Sequence, residues 1–137
     1  MTPKRMSVLR VALVLAGATC LALGPLMIVW PSGWRWSPHH THYEQMIVGI
    51  YITVGIFLIR ASKDPLQHLS FIWFAVWMSV VHATIMAFQT FGAPEHRGHL
   101  VADVPALLLA AAALGYLTPR RQQLTPPTSP SAAELAR

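Results

Sequence analysis

The sequence predicts an all-α integral membrane protein, a four-helix bundle with both termini cytoplasmic, and three observations predict it. The composition is 54% hydrophobic and only 11% charged, far from the balance of a soluble domain. The apolar residues fall into four runs near the length that crosses hydrocarbon, about 20 residues for a helix. The runs lack the alternation of barrel strands, so helices are the structure that satisfies their backbone in lipid. The formal net charge of +5 sits at the ends of these runs, with no basic stripe interleaved with aromatics, so nucleic acid is not an expected partner; the lipid bilayer is.

The spans are read at about 8–30, 43–60, 65–90 and 100–118, together one domain over residues 1–120. Lys4, Arg5 and Arg10 precede the first, whose uncharged run is too long for a signal-peptide core of about 7–15 residues. The second opens at Tyr43-Glu44 and closes on Arg60. Asp64 followed by Pro65 reads as the N-cap and first position of the third. The fourth starts near Asp103-Val104-Pro105. Residues 121–137, rich in Pro, Ser, Thr and Ala, read as a disordered cytoplasmic tail.

Orientation follows from the basic residues. Lys4, Arg5, Arg10, Arg60, Lys63, Arg120, Arg121 and Arg137 share one side of a four-span arrangement, and only Arg35 and Arg97 lie opposite. Trp30, Trp34 and Trp36 then mark the outer interface. The single cysteine, Cys20, excludes an internal disulfide or a Cys-x-x-Cys redox pair.

Titratable groups inside apolar spans are costly and mark function. Counting outward at 1.5 Å per residue from the basic ends puts Glu44 at about 24 Å, His82 at about 27 Å and Asp103 at about 26 Å, on three different helices. The counts predict one shallow site open to the outer side, binding a small molecule or relaying protons. Tyr51 adds a hydroxyl deeper on the Glu44 face, Gln89 continues the His82 face, and His99 stands about one turn from Asp103. His39, His40, His42, Glu95 and His96 fall in the outer loops. Structural readings stand beside these: Asp103 as a helix cap, Glu44 solvated among headgroups, His82 as a hydrogen bond between helices.

The pair Tyr43-Glu44, Asp64-Pro65, the series His82, Met86, Gln89, and "HRGHL" with Asp103-Val104-Pro105 together resemble a family of small four-helix membrane proteins of bacteria without an assigned activity. The resemblance covers residues 42–120 and implies a fold and a place in the bacterial cytoplasmic (inner) membrane, but no reaction. In layout alone the chain is similar to DoxX-like four-helix proteins, some tied to quinone-linked sulfur oxidation; no catalytic residue carries over.

Two other functions stay open. The chain is read as an accessory subunit of a larger membrane complex or a homo-oligomer, with Gly49, Thr53, Ala12, Ala16 and residues 110–113 allowing close helix contacts. It is also read as a metal protein using His82, Glu44, Asp103 and His99, although no recurrent ligand motif is present. No cofactor is named by the sequence. A phosphate loop and a nucleophile elbow are both lacking, so the chain is not read as an ordinary enzyme.

Overall fold

A computed structural model describes residues 2–29, 42–92, 98–101 and 103–119. The proposed tail and most of both outer loops lie outside these residues. Among the described residues there is no strand, and the elements are α1 (Pro3–Val29), α2 (His42–Lys63), α3 (Leu69–Gly92), a single turn α4 (Gly98–Val101) and α5 (Asp103–Leu117). The helices α1, α2 and α3 are each long and apolar enough to cross a membrane. Large apolar side chains, among them Val11, Leu15, Ile50, Phe74, Trp77, Ile85 and Leu109, stand exposed around the bundle, where a soluble protein would carry polar ones.

Two boundaries differ from the sequence reading. The third helix starts at Leu69, four residues after Pro65. Pro65 to His68 instead form a turn in which the His68 N–H donates to the Pro65 carbonyl at 3.2 Å. Because α2 runs on to Lys63, its last turn carrying both Arg60 and Lys63, a helix starting at Pro65 would leave almost no chain for the reversal. The fourth apolar stretch is two elements, and its main helix has 15 residues. That length rises about 22 Å, short of the roughly 30 Å of a hydrocarbon core. Asp103 opens this helix with Pro105 in its first turn, the placement expected of an acidic residue at a helix N-terminus.

The helices associate as two pairs, α1 with α2 and α3 with α5; α1 also lies along α5, while α2 and α3 touch only lightly. A central cluster joins the pairs: Leu9 and Leu13 from α1, Val54, Leu58 and Ala61 from α2, Ile72, Ala75 and Val76 from α3, Ala111 and Leu114 from α5. Every one of these residues lies in the half of its helix nearer Arg60 and Lys63, called here the basic end. Arg5 fastens the same end. Its guanidinium donates to the carbonyl of Tyr116 and lies 5.5 Å from that ring's centre, so a cation meets the free carbonyls at the C-terminus of α5.

Among the described glycines, those that leave least room for a side chain stand between α1 and α2. A Cβ on Gly17 would stand 2.8 Å from the Gly55 carbonyl oxygen, and a Cβ on Gly55 would stand 2.8 Å from the Gly17 oxygen. One pair of turns away, a Cβ on Gly24 would stand 3.0 Å from Val48. Gly49, grouped with Thr53 as a close-contact position in the sequence, has nothing within 4 Å of its Cβ position, and both residues are exposed. Ala12 and Ala16 do pack against the central cluster.

This geometry separates three glycines in one family of substitutions. Backbone oxygens at Gly17 and Gly55 cannot withdraw, so Gly17→Ala and Gly55→Ala each destabilise by about 1–3 kcal/mol through overpacking. Gly49→Ala meets open space and gains up to about 1 kcal/mol of helix propensity. Reversible unfolding in mixed micelles measures all three, and equal effects at Gly49 and Gly55 contradict the crossing.

Candidate functional site

The apolar cluster ends at Val54 on α2 and Val76 on α3, and the polar groups begin about one turn further on in α2 and nearly two turns further on in α3. Tyr51 on α2 and His82 on α3 meet edge to face, with ring centres 5.9 Å apart and planes at 90°. Asp103, the first residue of α5, lies close enough to interact electrostatically with both. Cys20 of α1 interacts with Tyr51 in the same way, and its Cβ lies 3.1 Å from the Cβ position of Gly55. Thus α1, α2, α3 and α5 each contribute one polar side chain to a single layer. All four are half-buried.

Local structure explains how they come to one level. From Lys63 back to Tyr51, from Leu69 on to His82, and from Leu117 back to Asp103, the helical rise is about 18, 20 and 21 Å. Arg5 is level with Tyr116 through its hydrogen bond, and Cys20 stands about 22 Å beyond it. Glu44, by the same count, has its backbone about 28 Å out, two turns past Tyr51. The equal depth expected of Glu44, His82 and Asp103 therefore passes to Tyr51, His82 and Asp103. Two boundaries account for the change: α2 ends three residues after Arg60, and α3 starts after the turn rather than at Pro65.

The remaining site candidates divide by what is described. Gln89 lies about two turns beyond His82 and is exposed. The side chains of Glu44 and His99, though their backbones belong to α2 and α4, lie outside the described residues, as do His39, His40, Glu95 and His96. His42 is exposed at the start of α2. Among the described residues no three His, Cys, Asp or Glu side chains could hold a metal ion together. A metal centre on the set read from the sequence would need Glu44 or His99 as its third ligand.

Other polar side chains in the spans are satisfied within their own helix. Thr19 donates to the Leu15 carbonyl at 2.9 Å, Thr53 to Gly49 at 2.9 Å, Ser79 to Ala75 at 2.9 Å and Thr84 to Val80 at 2.8 Å. Such bonds let a hydroxyl sit in lipid at little cost, and they carry no site. The Tyr51–His82 pair differs because it reaches between helices. A shallow apolar groove of about 190 Å³ between α3 and α5, lined by Ala83, Thr84, Ala87, Phe88, Val104 and Leu108, does not belong to this layer. Thr84 and Phe88 lie on the far side of α3 from His82.

Cys20 is the member that the sequence reading left out. The signal was available as a depth count from Arg5, but only the Arg5 bond to Tyr116 shows which residue of α1 to count from.

The fold and the layer define a small all-helical protein with apolar helices suited to membrane spans and one polar layer at the rim of its core. The chain matches the model of a family of unknown function (DUF6632) over residues 2–135, and it belongs to that family. The match takes in α1 as well as the stretch from residue 42 onward that carried the resemblance. No curated protein and no solved structure matches the chain.

Proposed function

We propose that this chain is a multi-pass protein of the bacterial cytoplasmic membrane, with both termini cytoplasmic, and that Tyr51, His82 and Asp103 form a site reached from the outer side. The site takes up a small molecule or a proton. The observation that carries this reading is the meeting of Tyr51, His82 and Asp103 from three separate helices at one level. An ionisable group inside an apolar span is expensive, and histidine is the side chain that changes charge near neutral pH.

The same geometry favours uptake over passage. Between the layer and the basic end lie Leu9, Leu13, Leu58, Ile72 and Leu114, all fully apolar and buried. Among the described residues, Ser79 just below His82 spends its hydroxyl on the Ala75 carbonyl and the apolar cluster follows it, so the site exchanges with one side of the membrane. In nanodiscs the His82 imidazole signals move between about pH 5 and 8, and proteoliposomes hold an imposed pH gradient as well as protein-free vesicles do. A fixed His82 signal returns the residue to the role of interhelical glue, and a His82-dependent loss of the gradient replaces uptake by a transmembrane relay.

Orientation has its own test in a Cys20→Ser background. A cysteine at Ser37 reacts with an impermeant thiol reagent from outside and one at Lys63 does not; Lys63 is exposed, whereas the neighbouring Ser62 is buried and would report burial instead. The opposite pattern inverts the topology.

A second reading has one observation in its favour. The open face of α2 at Gly49 and Thr53 suits contact with a further helix, as in a homo-oligomer or an accessory subunit of a larger membrane complex, quinone-linked by analogy of layout. Native mass spectrometry from mild detergent separates this reading from the first, a lone monomer counting against it.

A further inference from the structure

The two helix pairs are held together very differently at their two ends. Within the pairs the contact is continuous: α1 and α2 interlock from Gly17 and Gly55 to Gly24 and Val48, and α3 packs on α5 from Ala83 and Val104 to Trp73 and Gly115. Between the pairs, the basic end has the whole apolar cluster, the Arg5 bond to Tyr116, and Phe57 of α2 against Phe71 of α3 at 5.8 Å. Beyond that cluster, the ring contact between the pairs among the described residues is Tyr51 against His82. This is the arrangement of two rigid halves fastened at one end, with a titratable contact closing the other.

We propose that the bundle is a proton-operated hinge in which protonation of His82 parts the α1–α2 half from the α3–α5 half at the end away from Arg60 and Lys63. Tyr51 meets His82 from α2, Asp103 of α5 lies near enough to both rings to interact with them electrostatically, and Cys20 of α1 interacts with Tyr51 in the same way. The described part of α3 offers no second titratable side chain. A neutral imidazole keeps its edge contact across the seam to Tyr51. An imidazolium demands a carboxylate and water. The carboxylate is Asp103, and Asp103 belongs to the same half as His82. Charge therefore draws His82 towards α5 and off Tyr51, the ring contact across the seam at this end among the described residues, and water enters between α2 and α3. The glycine crossing and the α3–α5 packing are untouched, so each half moves as a unit. The hinge rests on proton uptake at His82 and requires no other ligand; a His82 signal that titrates while the two halves stay together overturns the hinge and leaves uptake standing.

Two spin-label pairs read the hinge in nanodiscs, in a Cys20→Ala background. Ile50 and Ile85 are exposed on α2 and α3 at or beyond the polar layer; Ile56 and Ser70 are exposed on the same helices nearer the basic end. On going from about pH 8 to about pH 5, the Ile50–Ile85 label distance lengthens by on the order of a few ångström while the Ile56–Ser70 distance stays fixed. His82→Asn and His82→Gln remove the lengthening. An unchanged or shortened distance at Ile50–Ile85, an equal change in both pairs, or a change that persists in both His82 variants overturns the proposal.

Discussion

Everything in this bundle is referred to the place where the backbones of α1 and α2 touch. With Gly17 and Gly55 each standing where the other's carbonyl allows no side chain, the two helices have one relative rotation and one relative height. Close approach of this kind is the main source of helix association where lipid is as apolar as the side chains. The crossing also sets the site. Cys20 lies one turn from Gly17 and Tyr51 one turn from Gly55, so the contact that fixes the helix pair brings these two side chains together. Moving the crossing by a single residue would rotate Tyr51 by about 100° away from the bundle axis.

The polar layer sits where its cost is lowest among places that still bring the helices together. Further towards the basic end, Leu9, Leu13, Leu58 and Ile72 fill the space between the pairs, and a histidine there would be stripped of water without a partner. At the rim, His82 has an aromatic edge, a carboxylate at a helix N-terminus and partial exposure together. Asp103 serves two ends with one charge, complementing the dipole of α5 and facing the histidine of α3.

Much of this was legible in the residues themselves. Apolar run length gave the helices, and the grouping of Arg60 and Lys63 at one end gave a floor from which depth could be counted. That count picks out His82 and Asp103, and counting instead from Leu69 and Leu117 gives them about 20 and 21 Å. Glu44 joins them only when depth is counted from Arg60 on α2 and from Asp64 on α3, whereas α2 runs on to Lys63 and α3 starts at Leu69; a proline fits the first turn of a helix and the corner of a turn equally well, and only the space needed to reverse the chain decides between them. The small residues show a similar limit. Gly49-x-x-x-Thr53 and Gly17 with Gly55 look alike in sequence, since a glycine in an apolar helix records that close approach is allowed but not from which side. Which glycine is used depends on the phase of the partner helix, a property of the pair. Cys20 was missed for the same reason: its height is fixed by Arg5 reaching Tyr116 across the bundle, a contact with no local signature.

The central claim is that the glycine crossing holds Tyr51 and His82 against each other inside the bundle. Magic-angle-spinning NMR on protein in lipid bilayers at about pH 8, with tyrosine and histidine rings isotopically labelled, tests it directly. Rings with centres 5.9 Å apart are close enough to exchange magnetisation, so a tyrosine–histidine cross-peak is expected that vanishes in His82→Asn and in Tyr51→Phe. The same peak should be lost in Gly55→Ile, where the side chain forces α1 away, and kept in Gly49→Ile. No cross-peak in the parent protein, or one that survives Gly55→Ile with the fold intact, contradicts the account.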